Sequence, residues 1–125
     1  MKLIIFICAL FAISNSFAGS NLSFEDQYYR LLTKYIEAQT QGSDVYRYSD
    51  GSEVTNLADK IKIQAERDCK TWRANKAFTA YIVDNFKAYE TLIDKPFFIK
   101  ASKAEWTTDL KDLDEKLNNP ENNCQ

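Results

Sequence analysis

The sequence predicts an all-α domain: a small bundle or irregular array of about four helices, stapled by one disulfide, with an ordered loop or short hairpin over 43–53. Three observations predict it. Apolar residues recur at three- and four-residue steps along most of the chain, the period of one helix face. Breakers are scarce, with only 3 Gly and 2 Pro in 125 residues, so long stretches contain nothing to interrupt a helix. Once an N-terminal leader is set aside, two cysteines remain, and a pair of cysteines in an exported chain forms a bond.

The leader comes first. Lys2 precedes an apolar run from Leu3 to Ile13, well short of the ~20 residues that cross a bilayer. Ser16, Phe17 and Ala18 then supply the small-x-small pattern of a cleavage site. The expectation is a signal peptide over 1–18, removed to leave one domain over 19–125 that is periplasmic or secreted. No stable membrane anchor is expected after cleavage. Cys8 leaves with the leader, and Cys69 pairs with Cys124 to close a loop of 55 residues. The chain-entropy account gives such a bond ~4 kcal/mol.

The first helix runs from about Ser23 to Gln41. Ser23 is its cap, with Asp26 as a short-armed capping-box partner. Phe24, Tyr28, Leu31, Tyr35 and Ala38 form its stripe, and Gly42 stops it. Over 42–52, Val45, Tyr46, Arg47 and Tyr48 favour extended structure and Asp50-Gly51 favours a tight turn. The returning half is short, so the reading is an ordered loop with a short hairpin as the alternative.

From Val54 to Ile93 there is neither Gly nor Pro. Val54, Leu57, Ile61, Ala65, Cys69 and Trp72 make one stripe, and Phe78, Ile82, Phe86, Tyr89 and Ile93 another. One helix of that length would reach ~60 Å, against ~35 Å for a domain of this size. Two helices are therefore favoured, with the break at Asn75. Pro96 ends the segment, and Phe97, Phe98 and Ile99 form an apolar connector. Ser102 and Glu105 are a capping box for the last helix, whose buried face is Trp106, Leu110, Leu113 and Leu117. Asn118-Asn119-Pro120 ends it, and the bond to Cys124 ties down the tail.

Composition argues against several function classes. Without its leader the chain carries 15 basic and 18 acidic residues, net −3. That balance argues against nucleic-acid binding and against a basic membrane-surface protein. Histidine is absent, which removes the usual general base and the usual zinc ligand. Cys-x-x-Cys is also absent, so there is no thiol oxidoreductase motif. The acidic 44–53 loop has Tyr46 and Tyr48 where a calcium loop needs oxygen ligands. Glu105, Asp109 and Asp112 share a helix face with lysines beside them, the pattern of a solvated surface. Neither an enzyme nor a cofactor is indicated.

Aromatic side chains are the remaining signal. Of 17 Phe, Tyr and Trp, most belong to helix stripes and build a core. Tyr46 and Tyr48 do not, and they flank a turn beside Asp44, Asp50 and Glu53. Tyrosines bury large area while keeping a polar handle, which suits an interface. These five residues are the candidate partner-binding site. The leading expectation is a binding protein, an inhibitor or immunity-type protein of a secreted or periplasmic enzyme. A carrier of an apolar small molecule or lipid, or a secreted effector or envelope component, are the alternatives. Asn21-Leu22-Ser23 also fits the N-glycosylation pattern.

Overall fold

In the computed structural model, which describes residues 22–41 and 45–124, four helices follow one another: α1 (Phe24–Thr40), α2 (Leu57–Asp84), α3 (Phe86–Leu92) and α4 (Lys103–Asn118). A 3-10 turn at Pro120–Asn122 completes the order. The expected leader over 1–18, Asn21, Gly42 and Asp44 lie outside the described residues.

Local chemistry sets the helix starts. Ser23 Oγ accepts the Asp26 N–H at 3.1 Å and donates to the Asp26 carboxylate at 2.7 Å. Ser102 and Glu105 make the full reciprocal box, with Ser102 N–H to the Glu105 carboxylate at 2.7 Å and Glu105 N–H to Ser102 Oγ at 3.2 Å. Each such cap contributes about 1 kcal/mol. Asn56, rather than a residue nearer Val54, caps α2 by accepting the Asp59 N–H at 2.8 Å. Val54 is thus outside the helix that the sequence pattern assigned to it, although it is completely buried.

Both α1 and α4 run antiparallel to α2. Along α1, Phe24 stacks on Tyr81 at 5.2 Å, and the Thr71 hydroxyl donates to the Ala38 carbonyl at 3.2 Å. Along α4, Trp106 meets Phe78 edge-on at 5.9 Å, Asp114 pairs with Lys76 at 2.5 Å, and Lys116 lies over the Trp72 ring. The Cys69 and Cys124 sulfurs lie at 1.99 Å, with Cα atoms 5.3 Å apart, so the expected disulfide closes. A carbonyl on Cys124 also takes a hydrogen bond from the Arg73 guanidinium.

The break in the long segment falls at Asn85, not at Asn75. Asn75 stays helical because Phe78 and Thr79 just beyond it are buried, and its side chain accepts the Thr79 hydroxyl at 3.2 Å. Packing there overrides a weak local preference. At Asn85 the backbone leaves helical geometry (φ −116°, ψ 30°). Its N–H and side-chain amide both donate to the Tyr81 carbonyl, while its own carbonyl receives the N–H groups of Ala88 and Tyr89. One residue ends α2 and starts α3, which turns Tyr89 inward.

The core is aromatic and sits at the C-terminal half of α2. Tyr28, Phe78, Ile82, Tyr89, Phe98 and Trp106 form one buried cluster. Phe98 stacks flat on Tyr28 at 4.1 Å, and Tyr89 meets Trp106 edge-on at 6.0 Å. The Trp106 indole N–H is buried without a hydrogen-bond partner, a cost of about 1–3 kcal/mol that the apolar burial around the ring must exceed.

Tyrosine hydroxyls hold the connector between α3 and α4. Tyr28 accepts the Ile99 N–H at 3.1 Å and faces the Phe97 carbonyl, and Tyr89 accepts the Ala101 N–H at 3.0 Å while donating to the Ile99 carbonyl. Tyr29 donates to the Pro96 carbonyl at 3.1 Å. Burial holds the Tyr28 phenol above its ordinary pKa. Between these fixed points Phe97 adopts φ +66°, a left-handed conformation that costs a bulky residue about 1–2 kcal/mol. The apolar connector therefore divides: Phe98 is buried, whereas Phe97 and Ile99 are exposed.

Two stability outcomes follow from this arrangement. Tyr89→Phe removes a partner from both Ile99 and Ala101 and should cost about 1–3 kcal/mol in urea denaturation, whereas Tyr29→Phe, at an exposed bond, should cost less. Reducing the disulfide should lower stability by up to ~4 kcal/mol, read as a fall in melting temperature, and an equally stable reduced chain would contradict this.

Candidate functional site

Helix lengths create an overhang. α2 has 28 residues, but α1 has 17 and α4 has 16. Gln41 at the end of α1 receives a hydrogen bond from Lys70, and Lys116 near the end of α4 lies by Trp72. The part of α2 before Cys69 therefore projects past both neighbours by about 18 Å, at 1.5 Å per residue. Leu57 and Ile61 on this projection are 72% and 61% exposed. The sequence pattern placed them on a buried stripe, and the structure corrects this: among the described residues no other helix covers them.

The 45–55 segment folds back along one side of the overhang. Tyr48 N–H donates to the Ser52 carbonyl at 2.9 Å and Val54 N–H to the Tyr46 carbonyl at 2.8 Å, with a single antiparallel bridge between Arg47 and Glu53. Gly51 takes φ +86° at the turn, a backbone conformation open to glycine at little cost. The Asp50 carboxylate accepts both the N–H and the hydroxyl of Ser52, which lowers its pKa. The result is the short hairpin, in miniature.

Tyr46 and Tyr48 point back to the helix rather than away from it. The Tyr46 hydroxyl donates to Gln64 at 3.0 Å, and the Arg67 guanidinium sits 4.8 Å from its ring centroid. Tyr46 is half-buried. The Tyr48 hydroxyl donates to the Asp59 carboxylate, and the Asn56 amide donates to both, at 3.2 Å to Tyr48 and 2.7 Å to Asp59. Of the five residues singled out from the sequence, Tyr48, Asp50 and Glu53 are exposed and Asp44 is outside the described residues.

Two open grooves flank the overhang. One, of about 370 Å³, is lined by Arg47, Tyr48, Asp59, Lys62, Ile63 and Glu66. The other, of about 460 Å³, is lined by Ala58, Ile61, Ala65 and Glu66 together with Glu121 and Asn123 of the tail. Lys62 and Glu66 border both, so they form the ridge between them. A third groove beside the disulfide, about 450 Å³, runs along Arg73, Lys76, Ala77 and Leu117. Its cations are engaged by the Cys124 carbonyl and by Asp114.

Sequence reasoning read 43–53 as an ordered loop, with the short hairpin as its alternative, and missed Leu57 and Ile61. The signal available was length: the apolar pattern of α2 outruns those of α1 and α4 by three turns. Among the described residues, no group of three His, Cys, Asp or Glu is placed to hold a metal ion, and no helix is long and apolar enough to cross a membrane. The chain matches no family model, no curated protein and no solved structure.

The Tyr48 network has a pH signature. Hydrogen bonds from Tyr48 and then Asn56 hold the Asp59 carboxyl below its ordinary pKa. A depressed carboxylate stabilises the fold above the unfolded pKa, and the contribution is lost as pH falls through the lower folded value. The hydrogen bond to Asp59 raises the Tyr48 phenol, so its share is lost as pH rises through the elevated folded value. Tyr48→Phe should therefore move the Asp59 titration, followed by carboxyl NMR, up toward the ordinary aspartate range. An unmoved Asp59 would mean that the hydrogen bond does not form.

Proposed function

We propose that this chain is a small exported protein that acts by binding a protein partner, with the overhanging half of α2 and its hairpin as the docking surface. The inhibitor or immunity-type role for a secreted or periplasmic enzyme is the form that fits best. One observation carries the reading: Leu57 and Ile61, large apolar side chains one turn apart, stand exposed on a helix that is capped and ordered. Interfaces draw their affinity from a few apolar and aromatic anchors rimmed by polar groups. Here Tyr48, Glu53, Lys62 and Glu66 supply such a rim.

Acidic charge and the lack of histidine support occupation of a partner's site over catalysis. A carrier role has less support, because the aromatic rings of the core pack on one another at centroid distances of 4.1 to 6.4 Å.

Capture tests this reading. The oxidised chain from Gly19 to Gln125, used as bait on its native envelope and medium, should retain one stoichiometric partner. Leu57→Asp with Ile61→Asp should abolish retention while leaving the circular dichroism unchanged, since neither residue is in the core. A partner retained equally by that variant would place the interface elsewhere.

A further inference from the structure

The chain ahead of α1 carries a motif that the docking surface leaves unused. Asn21, Leu22 and Ser23 read Asn-x-Ser, the acceptor pattern for an N-linked oligosaccharide. The middle residue is Leu and not Pro, as the pattern requires. No other asparagine in the sequence has Ser or Thr two positions on, although four asparagines stand between 118 and 123.

The described part of the motif stands where a bulky sugar has room. Asn21 lies outside the described residues, and the two residues after it are both exposed, Leu22 at 42%. Ser23 has φ −57° and ψ 160°, close to polyproline II, and the chain becomes helical only at Phe24. Neither Leu22 nor Ser23 belongs to the core. Phe24 stacks on Tyr81, twenty positions along α2 from Ile61, a separation of about 30 Å. The start of α1 is thus remote from the overhang, and a sugar attached just before it leaves the docking surface clear.

Ser23 sets the order of events. Its hydroxyl is the group that the pattern requires two residues after the acceptor amide. In the folded chain that hydroxyl accepts the Asp26 N–H at 3.1 Å and donates to the Asp26 carboxylate at 2.7 Å, so helix formation takes it. Attachment therefore belongs to the emerging chain, before α1 closes its cap. In the step itself the Asn21 amide nitrogen attacks the anomeric carbon of an oligosaccharide carried on a lipid pyrophosphate. A C–N bond forms, the C–O bond to phosphate breaks, the amide gives up one proton, and the lipid pyrophosphate leaves.

We propose that Asn21 is an N-glycosylation site and that the exported chain carries one oligosaccharide there. The proposal rests on the export assumed in the binding reading, since the lipid-linked donor is met only on that route. It does not depend on which partner the overhang binds.

Secretion from a eukaryotic cell line tests it, using the full chain from Met1 to Gln125 with its own leader. The chain recovered from the medium should drop in mass by one oligosaccharide on treatment with peptide N-glycosidase, and Asn21 should then be an aspartate. Asn21→Gln and Leu22→Pro should each abolish that shift. Ser23→Thr, which keeps both the hydroxyl and the cap, should retain it. Asn21→Gln should leave the circular dichroism of the chain unchanged, since the position precedes the helix. A secreted chain whose mass the enzyme does not move overturns the proposal and leaves export standing. A shift that survives Asn21→Gln overturns it as well, and a chain that stays in the cell without an oligosaccharide overturns both the proposal and export.

Discussion

The stack of Phe98 on Tyr28 is the contact on which the rest of the molecule depends. It joins the start of the first helix to the connector before the last, across 70 positions of sequence, and every other core ring is arranged about it. Phe78 meets Tyr28 edge-on, and Tyr29 and Tyr89 close on Phe98 from two sides. Tyr28 and Tyr89 each serve twice, with the ring buried among apolar neighbours and the hydroxyl on a connector peptide, and the half-buried Tyr29 adds a third such bond. A buried peptide without a partner is costly, so the hydroxyls are what allow an irregular segment to pass close to a packed core. Replacing them by methyl groups of similar size would preserve the packing and lose the peptide partners.

Concentrating the aromatic rings at one end leaves the other end to different forces. Near Cys69 the neighbours of α2 stop, and cohesion comes from the disulfide, a hairpin and a short tail. The hairpin is held by side-chain hydrogen bonds from Tyr46 and Tyr48 to the helix and by the buried Val54. That division gives one half packed around aromatic rings and another whose apolar helix face no other helix covers among the described residues. The proposed protein-binding surface belongs to the second half.

Most of the fold was legible in the sequence because its signals are local. Ser23 and Ser102 were readable as caps, Asp50-Gly51 as a turn, and the stripes through Tyr28, Phe78, Ile82, Trp106 and Leu113 as buried faces. What was not legible depends on neighbours. Nothing in the residues around Asn75 states that Phe78 and Thr79 will be buried and hold the helix straight, nor that Asn85 will be free to cap the Tyr81 carbonyl. The candidate site shows the same limit. Asp50, Tyr46 and Tyr48 were recognisable by type, but the partners of the two tyrosines, Gln64 and Asp59, lie on another element. Leu57 and Ile61 have the period of core residues, and only the ends of α1 and α4 decide that they are not.

The span between Tyr28 and Ile99 also governs the order in which the structure can come together. The Tyr28 hydroxyl and the Ile99 amide that it receives are 71 positions apart, and Trp106 lies further still. A chain that emerges from its N-terminus first exposes α1 with half of its stripe unsatisfied until the connector and α4 arrive. Cys124, the last residue described, appears later again, so the disulfide cannot form until the segments that build the core are all present. For most of its emergence the nascent polypeptide has a row of tyrosines and phenylalanines without partners, and that interval is when a holding chaperone would matter most.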